Sequence, residues 1–185
     1  GLTALHGLAL LGLVEGQTLL VTGGAGLLAS YVIPIAKRRG LRVLADAAPK
    51  DEALVRSFGA DVLLPRGDAL VAAVRAEVPE GVDAVFDTAL LRREAFPVIR
   101  EGGALAVVRT WDGDDVEHGI RIEKVQVWTV LERTDWLQEV RELAGEGVLA
   151  PRVAGTYPPE AAGDAHRRLE AGGLRGRDVI VFGDG

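Results

Sequence analysis

Residues 18–30, TLLVTGGAGLLAS, constrain this chain more than any other stretch. Five residues suited to a buried strand run into a cluster of small ones, and helical apolar spacing follows. A strand cannot continue through Gly23, Gly24 and Gly26, so the chain must turn there and re-emerge as a helix. The small residues serve distinct physical ends. Gly24 permits a sharp exit from the strand. Gly26, lacking a Cβ, lets another group approach the backbone, and Ala29 lets the helix lie close to the strand.

The spacing from Gly24 to Ala29 fits the pattern G-x-G-x-x-G/A. A glycine-rich turn alone is common. Here a strand precedes it, an amphipathic helix and a second strand follow, and an acidic residue, Asp46, stands 22 positions beyond Gly24. That context implies a dinucleotide, its pyrophosphate held where a helix start exposes N–H groups and the positive end of its dipole. Thr22, Gly23, Gly24, Ala25, Gly26, Leu27 and Leu28 form the predicted cradle.

Strands are predicted at 18–22, 41–46, 61–64, 82–86, 104–109 and 120–128, with a terminal strand at 178–182 and an extended segment at 151–157. Helices are predicted at 3–13, 27–39, 51–58, from an Asp68 cap onward, 90–100, 134–144 and 159–171. The pattern of Leu70, Val71, Val74 and Val78 marks the buried face of the fourth helix, and that of Trp136, Leu137, Val140 and Leu143 the buried face of the sixth. Gly102 and Gly103 read as a turn, and residues 111–119 as an acidic loop. Alternating strands and helices predict an α/β fold: a Rossmann doubly wound parallel sheet of about six strands, helices on both faces. Ligands of such sheets bind beyond the carboxyl ends of the strands, which puts Asp87, Thr88, Ala89, Arg109 and Thr110 on the pocket wall.

The chain has 185 residues, 48% of them apolar, enough for a folded core. A net charge of −6 without a basic run argues against nucleic acid as a partner. No apolar run is long enough to span a bilayer, so no membrane partner is expected. Residues 2–14 lack a basic leader and read as a packed helix, in keeping with a cytoplasmic location. With no cysteine and three scattered histidines, His6, His118 and His166, no metal site is expected. The chain lacks methionine, which reads as a processed or excised piece.

Several linked motifs carry a family resemblance. Residues 1–5 (GLTAL), 18–30, 57–61 (SFGAD), 82–88 (VDAVFDT) and 165–173 (AHRRLEAGG), with Gly176 and Arg177 before a strand, resemble the medium-chain dehydrogenase/reductases, in particular their zinc-independent quinone oxidoreductase branch. The resemblance covers nearly the whole chain in the family's order. It departs at Leu27 and Ala29, where the branch has glycine. It implies a single dinucleotide-binding domain over 1–185, with a separate catalytic domain ahead of it and segment 151–185 returning toward that domain. It also implies a homodimer through the edge strand 120–128. A short-chain dehydrogenase reading fails, because neither Tyr31 nor Tyr157 is followed four residues later by lysine.

Asp46 is placed to accept hydrogen bonds from an adenosine ribose, which favours NAD(H). Lys50 and Arg66 are placed to pair with a 2′-phosphate, which favours NADP(H). The resembling branch mostly uses NADPH, so NADP(H) is the expected cofactor and NAD(H) the alternative. The expected function is the cofactor-binding part of a quinone or enone oxidoreductase with a small-molecule substrate. The alternatives are a non-catalytic dinucleotide-binding or dimerisation module and the enoyl reductase part of a multidomain synthase. No residue stands out as an acid or base.

Overall fold

The computed structural model describes residues 1–183. Two compact units divide the chain, Gly1–Leu149 and a second from Ala150 onward.

The first unit is built on a seven-stranded sheet of β1 (Thr18–Thr22), β2 (Arg42–Asp46), β3 (Val62–Leu64), β4 (Val82–Asp87), β5 (Ile99–Val107), β6 (Val116–Glu117) and β7 (Ile120–Lys124), in the order β3-β2-β1-β4-β5-β7-β6. All neighbours are parallel except β6 and β7. Successive strand residues enter opposite layers. Leu19, Val21, Val43, Ala45 and Phe86 pack with α1 (Leu2–Leu11) and α2 (Ala29–Arg38). Leu20, Leu44, Val85 and Leu105 pack with Leu70 and Val74 of α4 (Ala69–Glu77) and with Val98. Apolar residues on both faces of the central strands are what a sheet covered by helices on each side requires. The expected doubly wound α/β fold is therefore present, with α3 (Glu52–Ser57) and α5 (Thr134–Gly145) completing the unit.

Several local expectations need correction. The helix expected from residue 27 begins at Ala29, with Leu27 and Leu28 still in the turn. Asp68 precedes α4 without a side-chain capping bond. The helix expected at 90–100 is a 3-10 helix at Arg92–Val98, because Leu90 and Arg92 take positive φ (65° and 55°). Strand β5 starts at Ile99, so Gly102 and Gly103 lie inside it. A Cβ on Gly103 would sit 2.5 Å from the Ile99 side chain and 2.8 Å from the Asp83 carbonyl.

The strand expected at 120–128 stops at Lys124, and a 3-10 helix, Val127–Val130, follows. Within the acidic loop, β6 folds back on β7. His118 and Gly119 both have positive φ (52° and 75°), the requirement of a two-residue hairpin turn. The extra strand takes the sheet from six to seven. In α5 Leu143 is buried, whereas Leu137 is 45% exposed.

In the second unit, β8 (Val153–Tyr157) pairs parallel with β9 (Arg177–Ile180), and α6 (Ala162–Ala171) lies between them in sequence. Arg168 of α6 bonds Asp178 at 2.8 Å, the Tyr157 hydroxyl at 3.3 Å and the Ala154 carbonyl at 3.2 Å. The terminal strand ends at Ile180, short of the expected residue 182, and Phe182 is exposed.

Candidate functional site

At the carboxyl end of the sheet, Thr22 of β1 stands beside Asp87 of β4. The strand order reverses here, with β2 and β3 on one side of β1 and β4 and β5 on the other. Such a point leaves a crevice between outgoing loops. Asp87 is almost fully buried. Its Oδ1 accepts the Thr22 hydroxyl at 2.6 Å and the Leu91 N–H at 3.1 Å, and its Oδ2 accepts the Arg92 N–H at 2.7 Å. Capturing those two amides is what holds the backbone away from an α-helix after β4. Thr88 Oγ1 donates to the Thr22 carbonyl at 2.5 Å, and the Ala89 N–H donates to Thr22 Oγ1 at 3.1 Å. Thr22, Asp87, Thr88 and Ala89 are thus one network that fixes the crevice wall.

The glycines divide their roles differently from the sequence reading. The left-handed turn falls at Gly23, with φ 66°, rather than at Gly24. Gly24 is where the turn crosses β2: a Cβ there would stand 2.6 Å from the Asp46 carbonyl oxygen. The Gly24 N–H reaches that carbonyl and the Asp46 Oδ1, each at 3.2 Å. Gly26 closes the turn by donating to the Gly23 carbonyl at 2.8 Å, and its own Cβ position is 3.0 Å from that oxygen. Helix α2 follows with no side-chain cap and no acidic residue in its first turn. The exposed N–H groups expected at the helix start are taken within the chain, Ser30 by the Gly26 carbonyl and Tyr31 and Val32 by that of Leu28, so what this end offers an anion is its dipole.

The spacing of Asp46 predicts that it faces a ribose. Both of its oxygens are instead engaged within the protein, Oδ1 with Gly24 and Oδ2 with Arg66 Nε at 3.1 Å, and its side chain is 4% exposed. The carboxylate braces the turn and carries Arg66, whose side chain remains about half exposed. A cleft of about 710 Å³ opens beside this pair, walled by Asp46, Arg66, Asp68, Leu70, Val71, Ala89, Leu91 and Glu94. Lys50 sits in the 3-10 turn Pro49–Asp51, exposed, and lines neither this cleft nor the next. The sequence reading misses Leu70, Val71 and Leu91 because apolar residues at helical spacing look the same whether they face a core or a cleft.

Arg109 and Thr110 lie in a second cleft, of about 460 Å³, at the ends of β5 and β7, together with Val108, Trp111, Lys124, Val125, Gln126 and Trp128. Trp111 is buried, and its indole N–H reaches Glu117 Oε1 at 3.1 Å and the Asp114 carbonyl at 3.2 Å. The Arg93 guanidinium lies 4.5 Å from the Trp111 ring centroid and bonds both Glu117 (2.8 Å) and Asp112 (3.1 Å). Hydrogen bonds from Arg93 hold the Glu117 and Asp112 carboxyls below their ordinary range, and the two acids raise Arg93 above its own. Lys124, Gln126 and Trp128 escape the sequence reading because it carries the strand through residue 128.

Among the described residues, no three His, Cys, Asp or Glu side chains gather as a metal ion would need.

A family model described as zinc-binding dehydrogenase matches residues 58–180. An Arabidopsis thaliana protein named NADPH-dependent alkenal/one oxidoreductase, chloroplastic, is 29% identical over 182 residues, 96% of this chain and 44% of that protein. The solved quinone oxidoreductase from Coxiella burnetii superimposes with a TM-score of 0.82 at 25% identity, covering 98% of this chain and 58% of the other. A mycobacterial protein solved in complex with NADPH shares the fold, with a TM-score of 0.82 and 24% identity over 97% of this chain and 61% of the other. The chain spans about half the length of the curated relatives it matches.

Proposed function

The chain belongs to the zinc-binding dehydrogenase family, and on that premise we propose that it is the NADPH-binding part of an oxidoreductase that reduces an enone or quinone. The observation that carries this is the turn at Gly23, Gly24 and Gly26, set at the reversal point of the strand order and leading into an uncapped helix. A Cβ at Gly24 would strike the Asp46 carbonyl, so the turn packs directly on β2. The relatives' names add weight, since one is described as NADPH-dependent and another was solved with NADPH.

In this reading the backbone from Gly23 to Leu28 receives the diphosphate. Arg66, braced by Asp46, faces the adenosine end in the larger cleft. Asp87, through Thr22, holds Thr88, and holds Ala89 in the wall of the larger cleft, and Arg109 and Thr110 border the end where the substrate is reduced. NADPH, when bound, supplies the hydride, while protein groups orient it and exclude water. The family's description names zinc, but the described residues offer no donor set for it, so no zinc ligand is assigned.

A homodimer through residues 120–128 belongs to the same reading, although β7 is not the last strand of the sheet as expected, because β6 pairs on its outer side; sedimentation velocity tests it. The cofactor test is titration of the full chain with NADPH and with NADH, followed by nicotinamide fluorescence. Saturable binding of NADPH, tighter than of NADH, is expected. A chain indifferent to both nucleotides at millimolar concentration would overturn the proposal.

A further inference from the structure

We infer that the second cleft, at the ends of β5 and β7, binds a flat conjugated acid, with Arg109 holding its carboxylate. Arg109 is exposed on the cleft wall and makes no ion pair among the described residues. Four acids of the neighbouring loop and strand are engaged by other cations. Arg93 holds Asp112 and Glu117, Lys124 holds Asp115 at 2.7 Å, and Arg121 holds Glu123. The guanidinium is therefore a charge without a counterion, inside a concavity within the roughly 300–1,000 Å³ range of small-molecule sites.

The walls specify the remainder of the ligand. Trp111 and Trp128 both line the cleft; Trp111 is buried with Arg93 over its ring, so the free indole is that of Trp128, 66% exposed, a large apolar surface that a planar ligand would cover. A guanidinium fork matches a carboxylate in two parallel hydrogen bonds, and indole faces favour flat π systems. The two demands together describe a conjugated carboxylic acid. That this acid is the hydride acceptor, an enone or quinone bearing a carboxylate, rests on the function proposed above. The binding preference itself does not.

The test is calorimetric titration of the full chain with trans-cinnamate and with its neutral counterpart, cinnamamide, at one ionic strength. The wild-type chain is expected to bind cinnamate about tenfold more tightly, the order of one charge-assisted contact. Arg109→Gln is expected to bring the two probes within about twofold, Arg109→Lys to restore part of the preference, and Trp128→Ala to weaken both probes alike. Equal affinity of the wild type for the two probes, binding of neither, or a preference that survives Arg109→Gln would overturn the inference. A parallel NADPH titration keeps the questions apart. Wild type that binds NADPH but ignores cinnamate defeats only this inference, and wild type that prefers cinnamate but ignores NADPH defeats only the cofactor reading.

Discussion

The two clefts share one edge of one sheet and are made of different material. The larger has one buried carboxylate, Asp46, in its wall beside exposed Arg66, Asp68 and Glu94, and a second, Asp87, fixes the wall residue Leu91 through its N–H. Asp46 and Asp87 are 3% and 1% exposed, and every oxygen of both accepts a hydrogen bond from the protein. The smaller is walled by long exposed side chains and tied by surface ion pairs on a hairpin. Buried, fully satisfied polar groups hold a single geometry and are costly to disturb, whereas exposed pairs contribute little and rearrange readily. The first construction suits a ligand of constant shape. The second can be retuned by substitution without unfolding the protein.

The largest effect that would test this contrast is at Asp87. Its replacement by alanine strands the Thr22 hydroxyl and the N–H groups of Leu91 and Arg92, and a loss of about 3–5 kcal/mol is expected in urea denaturation. A loss below about 1 kcal/mol would erase the distinction between the clefts.

Gly24→Ala comes next. Its methyl group, 2.6 Å from the Asp46 carbonyl, must push the turn off β2. Stability is expected to fall by about 1–3 kcal/mol, with NADPH affinity weakened more than tenfold in the same titration.

Asp83 supplies a control at the other end of the strands. It accepts the Thr18 N–H (2.8 Å), Gln17 Nε2 (3.0 Å) and Arg100 Nε (2.8 Å). Burial opposes ionisation, yet those hydrogen bonds together with Arg100's charge hold the carboxyl below its ordinary range. A carboxyl lowered on folding stabilises the protein above its unfolded pKa, near 4, and that contribution disappears as pH falls through the folded value. Asp83→Asn is therefore expected to cost about 1 kcal/mol at pH 7, with the gap to wild type closing below about pH 4. Affinity in both clefts should be unchanged, as denaturation and nucleotide titration at two pH values would check.

The smallest effect is expected at Arg93. Arg93→Gln frees the loop from Trp111 to Glu117, and amide exchange across residues 111–117 should quicken while the melting temperature moves by less than about 2 °C. A large fall in melting temperature would place the second cleft in the same class as the first.

Much of this site is legible without coordinates. The turn, the five central strands and their carboxyl ends follow from small residues and apolar runs, which act locally. The loop after β4 is not legible. Leu90 and Arg92 adopt positive φ against their own preference, in a loop held by Asp87, which accepts the N–H groups of Leu91 and Arg92. The hairpin of β6 and β7 is half legible, because Gly119 marks a turn but Val116 and Glu117 do not announce a strand. Spacing finds Asp46 and not its partners, because spacing locates a carboxylate without orienting it.

The order of residues alone determined that the chain is a doubly wound sheet with a glycine turn after its first strand. Backbone freedom and apolar periodicity are properties of short stretches, and they survive in any context. Only the tertiary structure decided which acids are engaged within the protein. That choice joins residues 20 and 65 positions apart, Arg66 to Asp46 and Asp87 to Thr22, and a carboxylate takes whichever donors folding brings to it.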